Sequence, residues 1–470
     1  MTATRRAFIG SAAAVSAGFF GLRTLFGQST QPATAPATDV GPYGPLIPDP
    51  AGVLDLPAGF EYRVFSRAGQ VMDDTLRVPG KHDGMAAFPG PGEGLVTLIR
   101  NHEISSGHGP IGAFGSKFEL VGKVSPGKIY DNGFGKPCMG GTVTLIYNTR
   151  DRMLERHFLS LAGTVHNCAG GSTPWGSWIS CEETVVRADG KEYEKDHGYN
   201  FEVPINNGEI GLVDPLPIKA MGRFNHEAVA VDPRTGIVYQ TEDRNEGLIY
   251  RYIPNVKEKL LEGGRLQALR VRDRKSLDTR NWEKPGLLKP GEALAVEWVD
   301  MEDIDSPTDE LRMWGFYAKG CARFARGEGM WWGNDAVYFA CTNGGSRKQG
   351  QIFRYVPSPV EGTPDEAIQP GRLELFIEPN DSDLMQNADN LCIAPWGDVV
   401  FSEDGAGDNY LRVVTPQGRI HTIARNAMNE SELAGCCFSP DGQTLFVNIQ
   451  SPGLSLAITG RWSPERQARL

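Results

Sequence analysis

Short runs of apolar or alternating residues recur along the chain, broken by Gly, Pro, Asn and Asp. That pattern predicts strands joined by tight turns, since helices need a sustained 3.6-residue period. Six segments share a larger design: a polar or acidic residue, an apolar run, a glycine-centred turn, a second β-rich run and a closing acid or amide. They are HDGMAAFPGPGEGLVTLIRNHE from His82, NCAGGSTPWGSWISCEE from Asn167, HEAVAVDPRTGIVYQTED from His226, GEGMWWGNDAVYFACTN from Gly327, ADNLCIAPWGDVVFSED from Ala388 and LAGCCFSPDGQTLFVNIQ from Leu433. Pro-Arg-Thr-Gly, Pro-Trp-Gly-Asp and Ser-Pro-Asp-Gly are tight connections, so each segment reads as a hairpin.

Hairpins at intervals of about 45 to 100 residues predict an all-β fold, a six-bladed β-propeller in which each repeat supplies the two inner strands of a blade. Insertions between blades are required, the longest between Tyr250 and Cys321. The strand FEYRVFSRAG from Phe60 is expected to complete the last blade and remove an exposed edge. A β-sandwich with chance similarity among its hairpins is the competing architecture.

The amino terminus reads differently. Thr4-Arg5-Arg6-Ala7-Phe8-Ile9 is a twin-arginine pattern, followed by a Gly/Ala-rich stretch to about Phe26 and a Pro/Ala/Thr-rich segment with a candidate cleavage site at Ala35-Pro36-Ala37. Residues 1–37 are therefore expected to be a twin-arginine signal peptide and linker, and 38–470 a single propeller domain in the periplasm or secreted. Arg23 interrupts the apolar run short of a membrane span. The implied partner is the twin-arginine export machinery, which carries folded chains, often with a cofactor already inserted. A monomer is expected.

With 57 glycines and 32 prolines the composition suits a turn-rich β protein. A net charge of −11 argues against nucleic acid, whose phosphates need a basic surface. Eight cysteines are sparse for a disulfide scaffold in a chain that can bury its own core. A Cys168–Cys181 bridge remains one reading of the 166–184 segment, and a metal site is the other.

In a propeller the innermost strands line a central channel, so residues at their starts ring one mouth. Aligning the repeats puts Asp83, Cys168, Glu227, Glu328 and Asp389 there, with Ala434 the exception and Glu432 close by. The second strand of each hairpin returns to the same face, bringing Glu103, Glu182 or Glu183, Glu242 or Asp243, Asn343, Glu403 or Asp404, and Asn448. So many carboxylates cannot all stay ionised without bound cations. Oxygen donors suit Ca²⁺, and a thiolate at Cys168 suits a transition metal. Arg326, two residues before Glu328, is placed to clamp an oxyanion. His102, His166 and His226 stand beside ring residues as ligands or outer partners.

Together, HDGM, RNHE, NCAGGSTPWGSWISCEE, GRFNHEAVAVDP, ARFARGEGMWW and ADNLCIAPWGDVVFSEDG resemble the PhoX-type alkaline phosphatases, exported six-bladed propeller enzymes. The resemblance spans residues 82 to 405. It implies a site with iron (Fe³⁺) and calcium (Ca²⁺), Cys168 as an iron ligand, and Glu183, Glu227, Glu328 and Asp389 as carboxylate ligands. It also implies that Arg326 contacts phosphate and that the substrates are small phosphate esters. The chain departs from the family's Arg-Pro-Glu pattern at Arg326-Gly327-Glu328, and the glycine is expected to loosen the arginine. The alternatives are a calcium-dependent propeller lactonase or other esterase, and a non-enzymatic binding propeller stabilised by calcium.

Overall fold

The computed structural model describes residues 41–462 apart from 110 and 307. The twin-arginine pattern and the cleavage site lie outside the described residues. Each expected hairpin is an antiparallel pair: His82–Pro89 with Leu95–His102, Asn167–Ser172 with Ser177–Glu182, and His226–Val231 with Val238–Glu242. The other three join Gly327–Gly333 to Ala336–Cys341, Ala388–Ile393 to Val399–Glu403, and Leu433–Phe438 to Thr444–Ile449. The first strand of each pair lies against the first strand of the next, and the last returns to His82–Pro89. The architecture is all-β and propeller-like, with the short α-helix Leu311–Tyr317 in the long insertion.

The expectation of six separate blades is corrected by the hydrogen bonding, which groups the strands into five sheets. The repeats from His226 and Gly327 share a nine-stranded sheet. The insertion after Tyr250 supplies an extra strand, Ala293–Asp300, whose first residues pair with the outer strand Arg372–Ile377 of the next repeat. The repeat from Asn167 forms a three-stranded sheet with Asn200–Pro204. A fourth partner touches it only through the bridge Phe201↔Pro217, because proline has no N–H with which to extend a ladder. The repeat from Ala388 continues through Leu54–Pro57 and Leu46–Ile47. The last sheet closes as expected, with Glu61–Arg67 beside Leu454–Thr459.

The apolar core lies mainly between neighbouring sheets. Trp331 of the strand Gly327–Gly333 packs against four separate apolar clusters and so fills the axis below the mouth. The strands lining this axis approach closely: a Cβ on Gly171 would lie 2.0 Å from the Val229 carbonyl oxygen. Only glycine fits there. All eight cysteines are free thiols, and Cys181 is buried within its strand, so the Cys168–Cys181 bridge is not formed.

Candidate metal centre

One local device repeats around the axis. In the first five hairpins the register slips near the start of the inner strand, between His82 and Met85, Asn167 and Gly170, His226 and Val229, Gly327 and Met330, and Ala388 and Leu391. Three steps on one strand oppose two on its partner, which is a β-bulge. Such a bulge frees a side chain from the pleat and re-aims it. The freed residues are Asp83, Cys168, Glu227, Glu328 and Asp389. In the sixth hairpin the slip comes one residue later, between Ala434 and Cys437.

A second device fixes the rim. The residue after each second strand donates its N–H to the carbonyl of the residue before the inner strand: Glu103 to Lys81, Glu183 to His166, Asp243 to Asn225, Thr342 to Arg326, Asp404 to Asn387 and Gln450 to Glu432. Four of those leading residues, Lys81, His166, Arg326 and Asn387, have φ of 48°, 55°, 52° and 56°. A left-handed backbone at a non-glycine residue costs on the order of 1 kcal/mol or more and turns the side chain sharply. Here it turns His166 and Arg326 towards the acids of the mouth.

The acidic doublets divide by strand alternation. Glu183, Asp243 and Asp404 face the mouth, whereas Glu182, Glu242 and Glu403 are fully buried in the sheets and held there by other partners. Glu182 accepts hydrogen bonds from the N–H groups of Val165, Gly198 and Tyr199, Glu242 from the Tyr250 hydroxyl, and Glu403 from Gln386 N–H and Arg412. Thr342 and Gln450 stand in the rim positions expected for Asn343 and Asn448.

All seven expected ligand residues converge. Their donor atoms fall into four groups, each within 4.8 Å: Cys168–Glu183–Glu227, Glu227–Glu328–Asp389, Glu103–His166–Glu183 and Asp83–Glu103–Glu432. Glu103, Glu183 and Glu227 are shared, so the groups form one continuous centre. The Cys168 Sγ lies 2.5 Å from Glu227 Oε2. The Gln450 amide donates to Asp83 Oδ2 at 2.9 Å and Glu103 Oε2 at 2.6 Å. Arg326 is not loose: its Nε and Nη2 donate to Asp243 Oδ1 and Oδ2 at 2.8 and 2.6 Å, and Nη2 also meets Glu328 Oε1 at 2.9 Å. Gly327 costs nothing in order because the guanidinium is fixed from the far side. Nη1 is left for a ligand.

The sequence model of a family described as "Alkaline phosphatase PhoX" matches residues 41–453. The chain belongs to this family. As a PhoX protein it is a phosphoric ester hydrolase. A solved structure of Pseudomonas fluorescens PhoX in complex with vanadate, a transition state analogue, is 18% identical, covers 87% of this chain and 96% of its own, and superposes with a TM-score of 0.64. A putative gluconolactonase is 12% identical over 86% of this chain and 94% of its own, with a TM-score of 0.41. A Xanthomonas campestris gluconolactonase is 12% identical over 89% and 98%, with a TM-score of 0.40. No curated protein matches the chain in sequence.

The electrostatics of this PhoX mouth call for cations. Nine carboxylates, Asp83, Glu103, Glu183, Glu227, Asp243, Glu328, Asp389, Asp404 and Glu432, face Lys81, His166 and Arg326. Burial, then mutual repulsion, pushes the carboxyls of Asp83, Glu183, Glu227, Glu328 and Glu432 well above their ordinary values, and Asp389 to about 6. Burial and Glu227 likewise raise the Cys168 thiol. For Arg326, burial opposes the charge, but Glu328 and Asp243 outweigh it. His166 is pushed up to about 10: burial opposes its proton, while Glu103, 2.8 Å from Nε2, and Glu183 hold it. Bound cations would relieve this crowding, and the donor set of oxygens, one sulfur and one imidazole fits them.

Sequence reasoning placed His166, Glu432 and Asp243 at or beside the ring without singling them out as site residues. The signal that singles out His166 and Glu432 is the leading position of each repeat, polar in all six: Lys81, His166, Asn225, Arg326, Asn387 and Glu432. His102 and His226 turn away, bonding the carbonyls of Gly80 and Gly222 at 2.8 and 3.1 Å, and burial keeps both neutral. Among the described residues no helix is long and apolar enough to cross a membrane.

Proposed function

We propose that the chain hydrolyses phosphate monoesters at this mouth with iron and calcium as its resident cations. The observation that carries the reading is the buried thiol and carboxylates held within 4.8 Å of one another by a device repeated around the axis. Cys168, with Glu183 and Glu227, would hold iron, since sulfur favours a transition metal. The oxygen-only group Glu227–Glu328–Asp389 and the group Asp83–Glu103–Glu432 would hold calcium. When bound, these cations supply charge neutralisation and Lewis acidity to the phosphoryl group.

The chain's own residues orient and enclose the ester. Arg326 presents the two N–H groups of Nη1 to the phosphoryl oxygens, while Asp243 and Glu328 take Nε and Nη2 and prevent the guanidinium from swinging away. Lys81 donates to the side-chain amide oxygen Oε1 of Gln450 at 2.6 Å and adds positive charge at the rim. The lower tier of Asp83, Cys168, Glu227, Glu328 and Asp389 is buried, which strengthens every interaction with developing charge. The vanadate complex of the Pseudomonas fluorescens relative supports placing a phosphoryl transition state at the corresponding mouth. We read the chain as exported in folded form through its twin-arginine segment, acting as a monomer on small phosphorylated substrates.

The test is release of p-nitrophenol from p-nitrophenyl phosphate before and after calcium chelation, with Cys168→Ala as the companion variant. Activity that requires both calcium and Cys168 is expected. Full activity in the chelated protein, or in Cys168→Ala, would overturn the assignment.

A further inference from the structure

A second constellation lies apart from the mouth, where the connector after Leu95–His102 meets the connector before Asn200–Pro204. Asp131, Cys138 and His197 bring a carboxylate oxygen, a sulfur and an imidazole nitrogen within 4.8 Å of one another. None of the three belongs to the phosphatase centre. Asp131 and His197 are fully buried and Cys138 is half-buried.

Every group is held in place. The Asp131 carboxylate accepts the N–H groups of Gly133 at 2.8 Å and of Glu194 and Lys195 at 2.9 Å, and its carbonyl accepts Cys138 N–H at 3.1 Å. The imidazole of His197 stands edge-to-face with Tyr130 and Tyr193, with ring centroids 5.2 and 5.6 Å away. Its Nδ1 lies 2.6 Å from Glu182 Oε1, and its Nε2 lies 3.1 Å from Asp131 Oδ2. A carboxylate on one ring nitrogen and ligand groups gathered at the other is the arrangement that orients a metal-bound histidine. Cys138 also lines a cavity of about 500 Å³ with Ile104, Ser106, Lys136, Val165 and Tyr193, so a fourth position opens to small molecules.

We propose that Asp131, Cys138 and His197 form a separate site for a zinc-type divalent cation, with its fourth position facing that cavity. One thiolate, one imidazole and one carboxylate are a zinc donor set, and calcium has no use for sulfur or nitrogen. A histidine paired only with its two acids would not need a thiol within reach of its ring as well. The cation would pin two connectors that flank the mouth, since Glu182, which aligns His197, precedes Glu183 in the centre itself. The proposal does not depend on what the phosphatase centre binds.

The experiment uses the full chain. After equilibration with Zn²⁺ and removal of loose metal, zinc is counted by mass spectrometry in wild type, Cys138→Ala, Cys168→Ala and the double variant, with circular dichroism to confirm folding. Removing Cys138 is expected to lose one equivalent of zinc in both backgrounds. Adding Co²⁺ to Cys168→Ala, in which Cys138 is intact, should give a thiolate-to-cobalt charge-transfer band that Zn²⁺ abolishes. Equal zinc with and without Cys138, or no cobalt band in Cys168→Ala, overturns the site and leaves a charge-paired histidine.

Discussion

Asp243 is the sharpest test of how Arg326 is used. Its two oxygens take Nε and Nη2 of the guanidinium at 2.8 and 2.6 Å; the carboxylate is buried while the guanidinium is partly open to solvent, which weakens the pair below its fully buried strength. Asp243→Asn keeps one acceptor, removes the charge and sets an amide N–H₂ against the guanidinium. Hydrogen bonds to charged groups contribute about 1.5–3 kcal/mol, and Glu328 still anchors Nη2. If that orienting energy is realised in the transition state, kcat/KM for p-nitrophenyl phosphate should fall by about tenfold to a hundredfold, at 1.36 kcal/mol per factor of ten. The decisive assay is a double-mutant cycle with Arg326→Ala at saturating calcium. Because Asp243 acts through Arg326, the double variant should be scarcely worse than Arg326→Ala alone. An Asp243→Asn penalty that is undiminished in the Arg326→Ala background refutes the orienting role and makes Asp243 an independent participant.

Two further outcomes follow from the charges. In chelator the Asp389 carboxyl, at about 6 in the folded chain against 3.8 ordinarily, stabilises fully below about pH 4 and loses that contribution as pH rises through 6. Asp83, Glu227 and Glu328, raised in the same direction by burial and by neighbouring carboxylates, add to that loss. Metal-stripped protein should therefore melt at a lower temperature at about pH 8 than at about pH 5, and calcium should flatten the slope. A melting temperature that rises with pH in chelator contradicts this. Away from the mouth, the buried Arg251 meets Glu361 Oε1 and Glu366 Oε1 at 2.6 Å each, with the Tyr239 and Tyr355 hydroxyls also on Glu361. Arg251→Met should cost about 3–5 kcal/mol in urea unfolding by stranding Glu361, without changing activity per folded molecule.

The hairpins were legible because their turn residues and apolar runs repeat, and the closing strand Glu61–Arg67 because a last sheet without it would expose an edge. The ligand positions were legible because each falls at the same place in its hairpin. The residues alone left open which acid of Glu182-Glu183 faces the mouth, since that choice turns on where the strand ends, and Glu182 pairs with Asn167 as its last residue. Nor did sequence disclose the turned backbone at His166 and at Arg326, since neither is a glycine and a positive φ is uncommon elsewhere. The five sheets escaped for another reason. The pairing of Ala293–Asp300 with Arg372–Ile377 depends on where a long insertion comes to rest, which tertiary packing decides.

The seam at Glu61–Arg67 bears on the order in which the protein is made. Asp83 and Glu103 are made well before Glu432 and Gln450, their partners at one corner of the mouth: Gln450 comes 347 residues after Glu103 and 367 after Asp83, to both of which it donates. No nascent chain short of that point can build this corner, and the early strand must wait for Leu454–Thr459 before its outer sheet exists. A cation held at this corner would thus be captured only after Gln450 has been made and has met Asp83 and Glu103.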